Sequence, residues 1–266
     1  NNPWQRHGNM ADWPATFQRE HPGVTIMWAG TLGFLSTFPT YAELAPGQFV
    51  DEREALEEWL YAATPHTPLT LLGAGRWWIA LIISLAIALS YLPLRRLLGD
   101  APALLATLFI AWDPFILALS RQLHPDGLIA SLTALAWFLW LAWLYTGQRW
   151  RDLIGSGLLM GLAWLTKTPA IFLVPAAAIL LVMHHASRFR RPTTDDGRPI
   201  TPVSRLSSLV SFTLWGIIAT ATFVLLWPAM WTDPLGTLRW ISSEMGEYVA
   251  AHVNPNFFWG SITADP

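Results

Sequence analysis

Long runs without a charged residue dominate the chain. Trp77 to Leu94 is 18 residues, Gly127 to Tyr145 is 19 and Leu206 to Met230 is 25, and none of them holds Asp, Glu, Lys or Arg. About 20 apolar helical residues cross the roughly 30 Å hydrocarbon core of a bilayer, so each run predicts a transmembrane helix. Ala101 to Leu119 predicts a fourth, interrupted by Asp113-Pro114. Leu153 to His185 is 33 residues with Lys167 as its single charge. As one helix it would be about 50 Å long at 1.5 Å per residue, too long for the bilayer. The Thr166-Lys167-Thr168-Pro169 stretch is the natural break, because a residue before proline is disfavoured in helix. Six spans are therefore expected between residues 77 and 230, in an all-α, polytopic transmembrane helical bundle.

Composition supports this. Lys plus Arg is 16 and Asp plus Glu is 18 in 266 residues, or 13% charged, with 53% hydrophobic residues and 17 Trp. Soluble domains carry roughly 25% charge. A disordered chain, a basic nucleic-acid-binding face and most soluble enzymes are excluded, and no nucleic-acid partner is expected. With no cysteine there is no disulfide, thiolate metal site or cysteine nucleophile. Orientation follows from the loops. Nine arginines (Arg95, Arg96, Arg149, Arg151, Arg188, Arg190, Arg191, Arg198, Arg205) follow the first, third and fifth spans, so that side is expected to be cytoplasmic. Residues 1–76 and 231–266 then face outward, with short outward turns at 120–126 and 166–169. The chain opens on Asn1-Asn2-Pro3, and an outward start calls for an earlier span, so a transmembrane helix is expected upstream.

Three regions result: 1–76, an outward loop with juxtamembrane helices; 77–230, the spans; and 231–266, the start of another outward loop, rich in aromatic residues suited to a membrane boundary. The uncharged run from Pro22 to Ala42 contains Gly23, Gly30, Gly33 and Pro39 and reads as a short helix lying at the membrane surface. Asp51 to Leu60 reads as a surface helix.

The chemistry should lie where polar groups gather at the outward ends of the spans. Lys167 is unfavourable by about 2.5–3.5 kcal/mol at mid-bilayer; at an outward helix break it is either a snorkelling anchor or a charge held for a phosphate. Ser120-Arg121-Gln122-Leu123-His124-Pro125-Asp126 brings a cation, an imidazole and a carboxylate into one short loop, a set suited to phosphate binding and proton handling, although a short loop can be polar merely because it faces water. Glu20-His21-Pro22-Gly23 holds a further carboxylate and imidazole, with nothing at metal-ligand spacing. Asp113 is either a functional intramembrane acid or the cap of the second half-helix. His184-His185 reads as an interfacial cap.

Four segments in order resemble the membrane glycosyltransferases of the GT-C superfamily, in particular the glycosyltransferase family 39 type, with the protein O-mannosyltransferases and the lipid A aminoarabinose transferase as relatives. Thr16 to Trp28, around His21-Pro22, is similar to that family's first outward loop, where a Lys/His-Pro-Pro-Leu element leads into a juxtamembrane helix. Arg121-Gln122-Leu123-His124-Pro125-Asp126-Gly127-Leu128 is similar to the Arg…Asp-Ala-Leu pattern opening a span. Gly161-Leu162-Ala163-Trp164-Leu165-Thr166-Lys167-Thr168-Pro169 resembles the Gly-Leu-Ala-x-Leu-Thr-Lys-x-Pro signature, the most specific of the four. Trp227-Pro228-Ala229-Met230-Trp231, with Asn256-Phe257-Phe258-Trp259-Gly260, is similar to a later outward loop.

The resemblance implies an inverting transfer of a sugar from a polyprenyl-phosphate donor to a protein, lipid or glycan acceptor, on the outer face of the cell membrane. Lys167, Arg121, His124 and His21 would bind the lipid phosphate; the family often has Lys where His21 stands. The family's usual catalytic carboxylate follows its first transmembrane helix, so the base is expected before residue 1; within this chain Glu20 and Asp126 are the remaining catalytic carboxylates. Some relatives use a divalent metal, and the residues here offer no clear metal site. Two other readings compete: a transporter or lipid flippase, which fits the broken helix but not the lack of an internal repeat, and a non-catalytic scaffold, which leaves the clustered charges without a purpose.

Overall fold

A computed structural model of the protein describes residues 23–41, 53–190, 205–251, 256–258 and 261–263. Helices α1 (Val24–Thr37), α2 (Arg53–Ala63), α3 (Pro68–Leu98), α4 (Asp100–Ala111), α5 (Pro114–Ser120), α6 (Pro125–Tyr145) and α7 (Trp150–Thr166) come first. A 3-10 turn (Thr168–Phe172) leads into α8 (Leu173–Arg190), followed by α9 (Arg205–Leu226), α10 (Ala229–Thr232) and α11 (Pro234–Ala251). A two-stranded exception to the helical architecture closes the described chain: the antiparallel hairpin of β1 (Asn256–Phe258) and β2 (Ser261–Thr263), with Phe257 opposite Ile262.

The helix ends follow the local sequence. The Thr67 side chain accepts the Thr70 N–H at 3.2 Å, and Pro68 sits where its missing N–H is not needed. Gly99 ends α3 at φ 89°, a conformation glycine adopts without penalty. Asp113 Oδ1 accepts the Ile116 N–H at 2.9 Å, so this acid caps α5. Pro114 follows it, and α4 and α5 meet at 55° as one bent unit.

Among the described residues three helices are long and apolar enough to cross a membrane: α3, α6 and the Leu209–Leu226 part of α9. The bent α4–α5 pair makes four. These make the protein an integral membrane protein. The two halves of the 153–185 stretch are both helical but shorter: α7 has 17 residues with Arg151 and Asp152 in its first turn, and Thr168–His184 is a short apolar helix. Six helical segments thus occupy the positions of the six expected spans, and three or four of them meet the length and composition for crossing on their own. The break itself falls at Lys167, which is extended at φ −162°, ψ 137°. Pro169 does not stop the chain one residue later. It lies in the first turn of the 3-10 segment, where an N–H would have no partner.

α1 is 14 residues, about 21 Å, too short to cross. It lies on α3 with the two backbones in contact. A Cβ on Gly33 would fall 2.5 Å from the Gly75 nitrogen, so only glycine permits the approach. Met27, Trp28, Leu32 and Leu35 remain exposed on α1. α2 packs its buried Leu60 with Phe38 and Leu71.

The core of the bundle is the α6–α7–α9 layer. Trp140, Trp143, Met160, Trp215 and Ala219 are buried together. Trp215 Nε1 donates to Ser156 Oγ at 3.0 Å, and Ser156 donates to the Ala136 carbonyl at 2.7 Å. This chain joins three helices and leaves none of its donors unmatched, as a lipid-embedded bundle requires. At the other end of α7, Arg96 grips Asp152 with two bonds of 2.7 and 2.8 Å, the carboxylate only 9% exposed. Asp152 also sits in the first turn of α7, where the helix dipole favours an anion. Breaking a buried pair leaves one charge stranded, at about 3–5 kcal/mol. Asp152→Ala should therefore lose about 3 kcal/mol of stability, seen as a lower midpoint for heat-induced loss of the monodisperse protein in detergent. The Arg96→Ala/Asp152→Ala double variant should be less impaired than the two single losses combined.

Candidate functional site

The α6–α7 pair is antiparallel, joined by the short turn at Gly147 and Gln148, both at positive φ. The first turn of α6 and the last turn of α7 therefore lie at the same end. Pro125 at the start of α6 has no N–H to satisfy and leaves Asp126 in the first turn. Lys167, released from helix by the break, turns its side chain to that carboxylate. Its Nζ donates to Asp126 Oδ1 at 2.7 Å. His124 Nδ1 lies 3.4 Å from the other oxygen, Oδ2. Asp126 is thus held between an ammonium and an imidazole.

The same end gathers three more pieces. Thr166, 1% exposed, donates to the Leu162 carbonyl at 2.8 Å, so the 2.8 Å contact with Thr25 has Thr25 as its donor. This ties the start of α1 to the residue before Lys167. Val24, Leu165, Trp227, Ala229 and Met230 form a buried cluster beneath. The Ser120–His124 loop reaches across through Leu123, whose side chain lies over Gly30 and Gly75, within 3.8 and 3.3 Å of where a Cβ on each would stand.

The structure brings Asp126, His124 and Lys167 together. Arg121 stands apart: it caps the C-terminus of α5, is exposed, and makes no side-chain ion pair among the described residues. Glu20 and His21 lie outside the described residues, as do Asp12, Asp51, Glu52, the 192–202 loop and Trp259. His184, at the far end of α8, is buried edge-on to Tyr145. Asp113 lines a separate crevice of about 370 Å³ with Ile87, Ser90, Ile110, Ile116 and Ser131, and neither Asp126, His124 nor Lys167 borders it. Among the described residues no three His, Asp or Glu side chains stand in a metal-holding group. The Thr25–Thr166 contact is not legible along the chain, where Thr166 reads only as part of the helix break.

The arrangement leaves a cation at one end of the bundle with its donors partly free. The Lys167 side chain is 44% exposed and Asp126 38%. An ammonium has three donors, and one is used by Asp126, so an incoming oxyanion can take the others. Comparison with curated proteins and with solved structures gives no match. Residues 70–194, from the first turn of α3 to the end of α8 and so including Asp126 and Lys167, match the family model described as dolichyl-phosphate-mannose-protein mannosyltransferase, to which this part of the chain is similar.

Proposed function

We propose that the protein is an integral-membrane glycosyltransferase that moves a sugar from a polyprenyl-phosphate donor to an acceptor on the extracytoplasmic face of the cell membrane, with inversion. The observation that carries this reading is the Lys167–Asp126 pair at 2.7 Å, at one end of the bundle and inside the segment that matches a family of lipid-phosphate-sugar transferases. The donor's chain would lie among the helices while its phosphate reaches the helix ends.

In the proposed reaction an acceptor oxygen attacks the anomeric carbon as the bond from that carbon to the phosphate oxygen breaks. The polyprenyl phosphate leaves with that electron pair, and a carboxylate takes the acceptor's proton. Charge grows on the leaving phosphate, and Lys167 is the cation that offsets it, with His124 and the exposed Arg121 at the rim. Asp126 positions Lys167 through its hydrogen bond; within this chain Glu20 is the remaining candidate carboxylate for the proton.

The test uses the full-length protein in nanodiscs, radiolabelled polyprenyl-phosphate sugars and a membrane extract as acceptor source. Label should pass from carrier to acceptor. Asp126→Asn, which keeps an acceptor for Lys167 but removes the charge, should slow transfer about tenfold or more. Movement of labelled lipid between leaflets with no release of sugar would overturn the transferase reading in favour of a flippase.

A further inference from the structure

Arg76, near the outward end of α3, has no part in the arrangement above. Its Nε is buried and has no hydrogen-bond partner among the described residues. Among the described residues its side chain enters no ion pair. A buried guanidinium nitrogen without an acceptor is unfavourable, so its position calls for an anion.

Its direction can be read from its neighbours. Gly75, the preceding residue, packs against the Leu123 side chain: a Cβ there would lie 3.3 Å from Leu123 Cδ1. Ile83 is seven residues on, two turns along the same face of α3. Ile83 is also the side chain that meets Gly127, where a Cβ would fall 3.0 Å from Ile83 Cδ1. Gly127 follows Asp126 directly. Arg76 therefore lies on the α6-facing side of α3, about 10 Å from Ile83 toward the N-terminus of α3 and beside Gly75, at the level of Leu123. Helical side chains lean back toward their own N-terminus, which carries the guanidinium outward to the rim that holds His124 and Arg121.

We propose that Arg76 is a phosphate-binding residue of this site, a second cation beside Lys167. Its planar fork suits two oxygens of one phosphate. This rests on the transferase reading and names the group that its donor phosphate would meet. The ligand chemistry is a phosphate monoester or diester oxyanion, carried on a membrane lipid or free in solution.

The experiment measures binding to the full-length protein in nanodiscs, with three probes: polyprenyl monophosphate, the corresponding polyprenol, and inorganic phosphate. The variants are Arg76→Met, which keeps the length without the charge, Arg76→Lys and Lys167→Ala. Arg76→Met should weaken polyprenyl phosphate binding about tenfold or more, leave polyprenol binding unchanged, and be partly rescued by Arg76→Lys. Loss confined to the lipid phosphate assigns a lipid-headgroup site; equal loss for inorganic phosphate assigns a general phosphate site. Wild-type affinity in Arg76→Met, with Lys167→Ala impaired, overturns the role of Arg76 and leaves the transferase reading standing. Equal loss with Met and Lys, together with lower thermal stability, makes Arg76 a packing residue and overturns the proposal. No phosphate-dependent binding by the wild type overturns both.

Discussion

Lys167→Ala should lower sugar transfer by about 10²–10³-fold, the usual consequence of losing one donor to a developing oxyanion, with the fold unchanged. The two effects separate because of exposure. Lys167 and Asp126 are 44% and 38% exposed, and pairs this open contribute about 0–1 kcal/mol to stability. The thermal midpoint should therefore stay close to wild type while single-turnover transfer collapses. A simpler explanation of any loss is that Lys167 only neutralises Asp126, and that its removal leaves a bare carboxylate repelling the donor phosphate. The Lys167→Ala/Asp126→Ala double variant decides between them. If Lys167 contacts the phosphate, the double variant stays as inactive as the single one. Recovery of most of the activity in the double variant would remove Lys167 from the phosphate and leave it as a counter-ion.

Gly161→Leu should disrupt the bundle itself, with a loss of about 3 kcal/mol or more. Gly157 and Gly161 lie four apart on α7 and face α9. A Cβ on Gly161 would fall 2.5 Å from the Ala219 carbonyl oxygen and 2.6 Å from Thr222 Cβ. Lipid tails are as apolar as the side chains, so close packing between helices takes over from hydrophobic burial as the driving force. A side chain there pushes α9 away and loosens the Trp215–Ser156–Ala136 chain of hydrogen bonds with it. Gly216→Ala on α9 is the matched control. Its Cβ would meet nothing within 4 Å, so the variant should be neutral. Size-exclusion profiles in detergent after graded heating compare the two. Equal stability of Gly161→Leu and wild type would mean that α7 and α9 do not pack as described.

Much of this architecture could be read along the chain. Charge-free runs marked where the helices lie, because a backbone in lipid must satisfy its own hydrogen bonds and its side chains must be apolar. The break at Lys167 followed from the length of the 153–185 stretch and from Pro169. The cap at Asp113 and the start at Pro125 follow from local rules that need no partner. Less accessible was which spans stand alone, since α7 and Thr168–His184 are shorter than the run that contains them.

The candidate site divides in the same way. The sequence put Arg121, His124 and Asp126 in one loop and Lys167 at a helix break, each as a property of a few neighbouring residues. It did not say which of them touch. Lys167 and Asp126 are 41 residues apart, and their meeting depends on the α6–α7 turn and on the register in which those helices pack. The same turn of the chain leaves Arg121, only five positions from Asp126, exposed at the end of α5. Thr25 and Thr166 are 141 residues apart, and Arg96 and Asp152 are 56. Hydrophobicity and proline act along the chain, so a one-dimensional pattern carries them. Contact between charged ends is set by the angle and register of whole helices, and those are settled by close-packed surfaces such as Gly161 of α7 against Ala219 of α9, which only the folded bundle brings face to face.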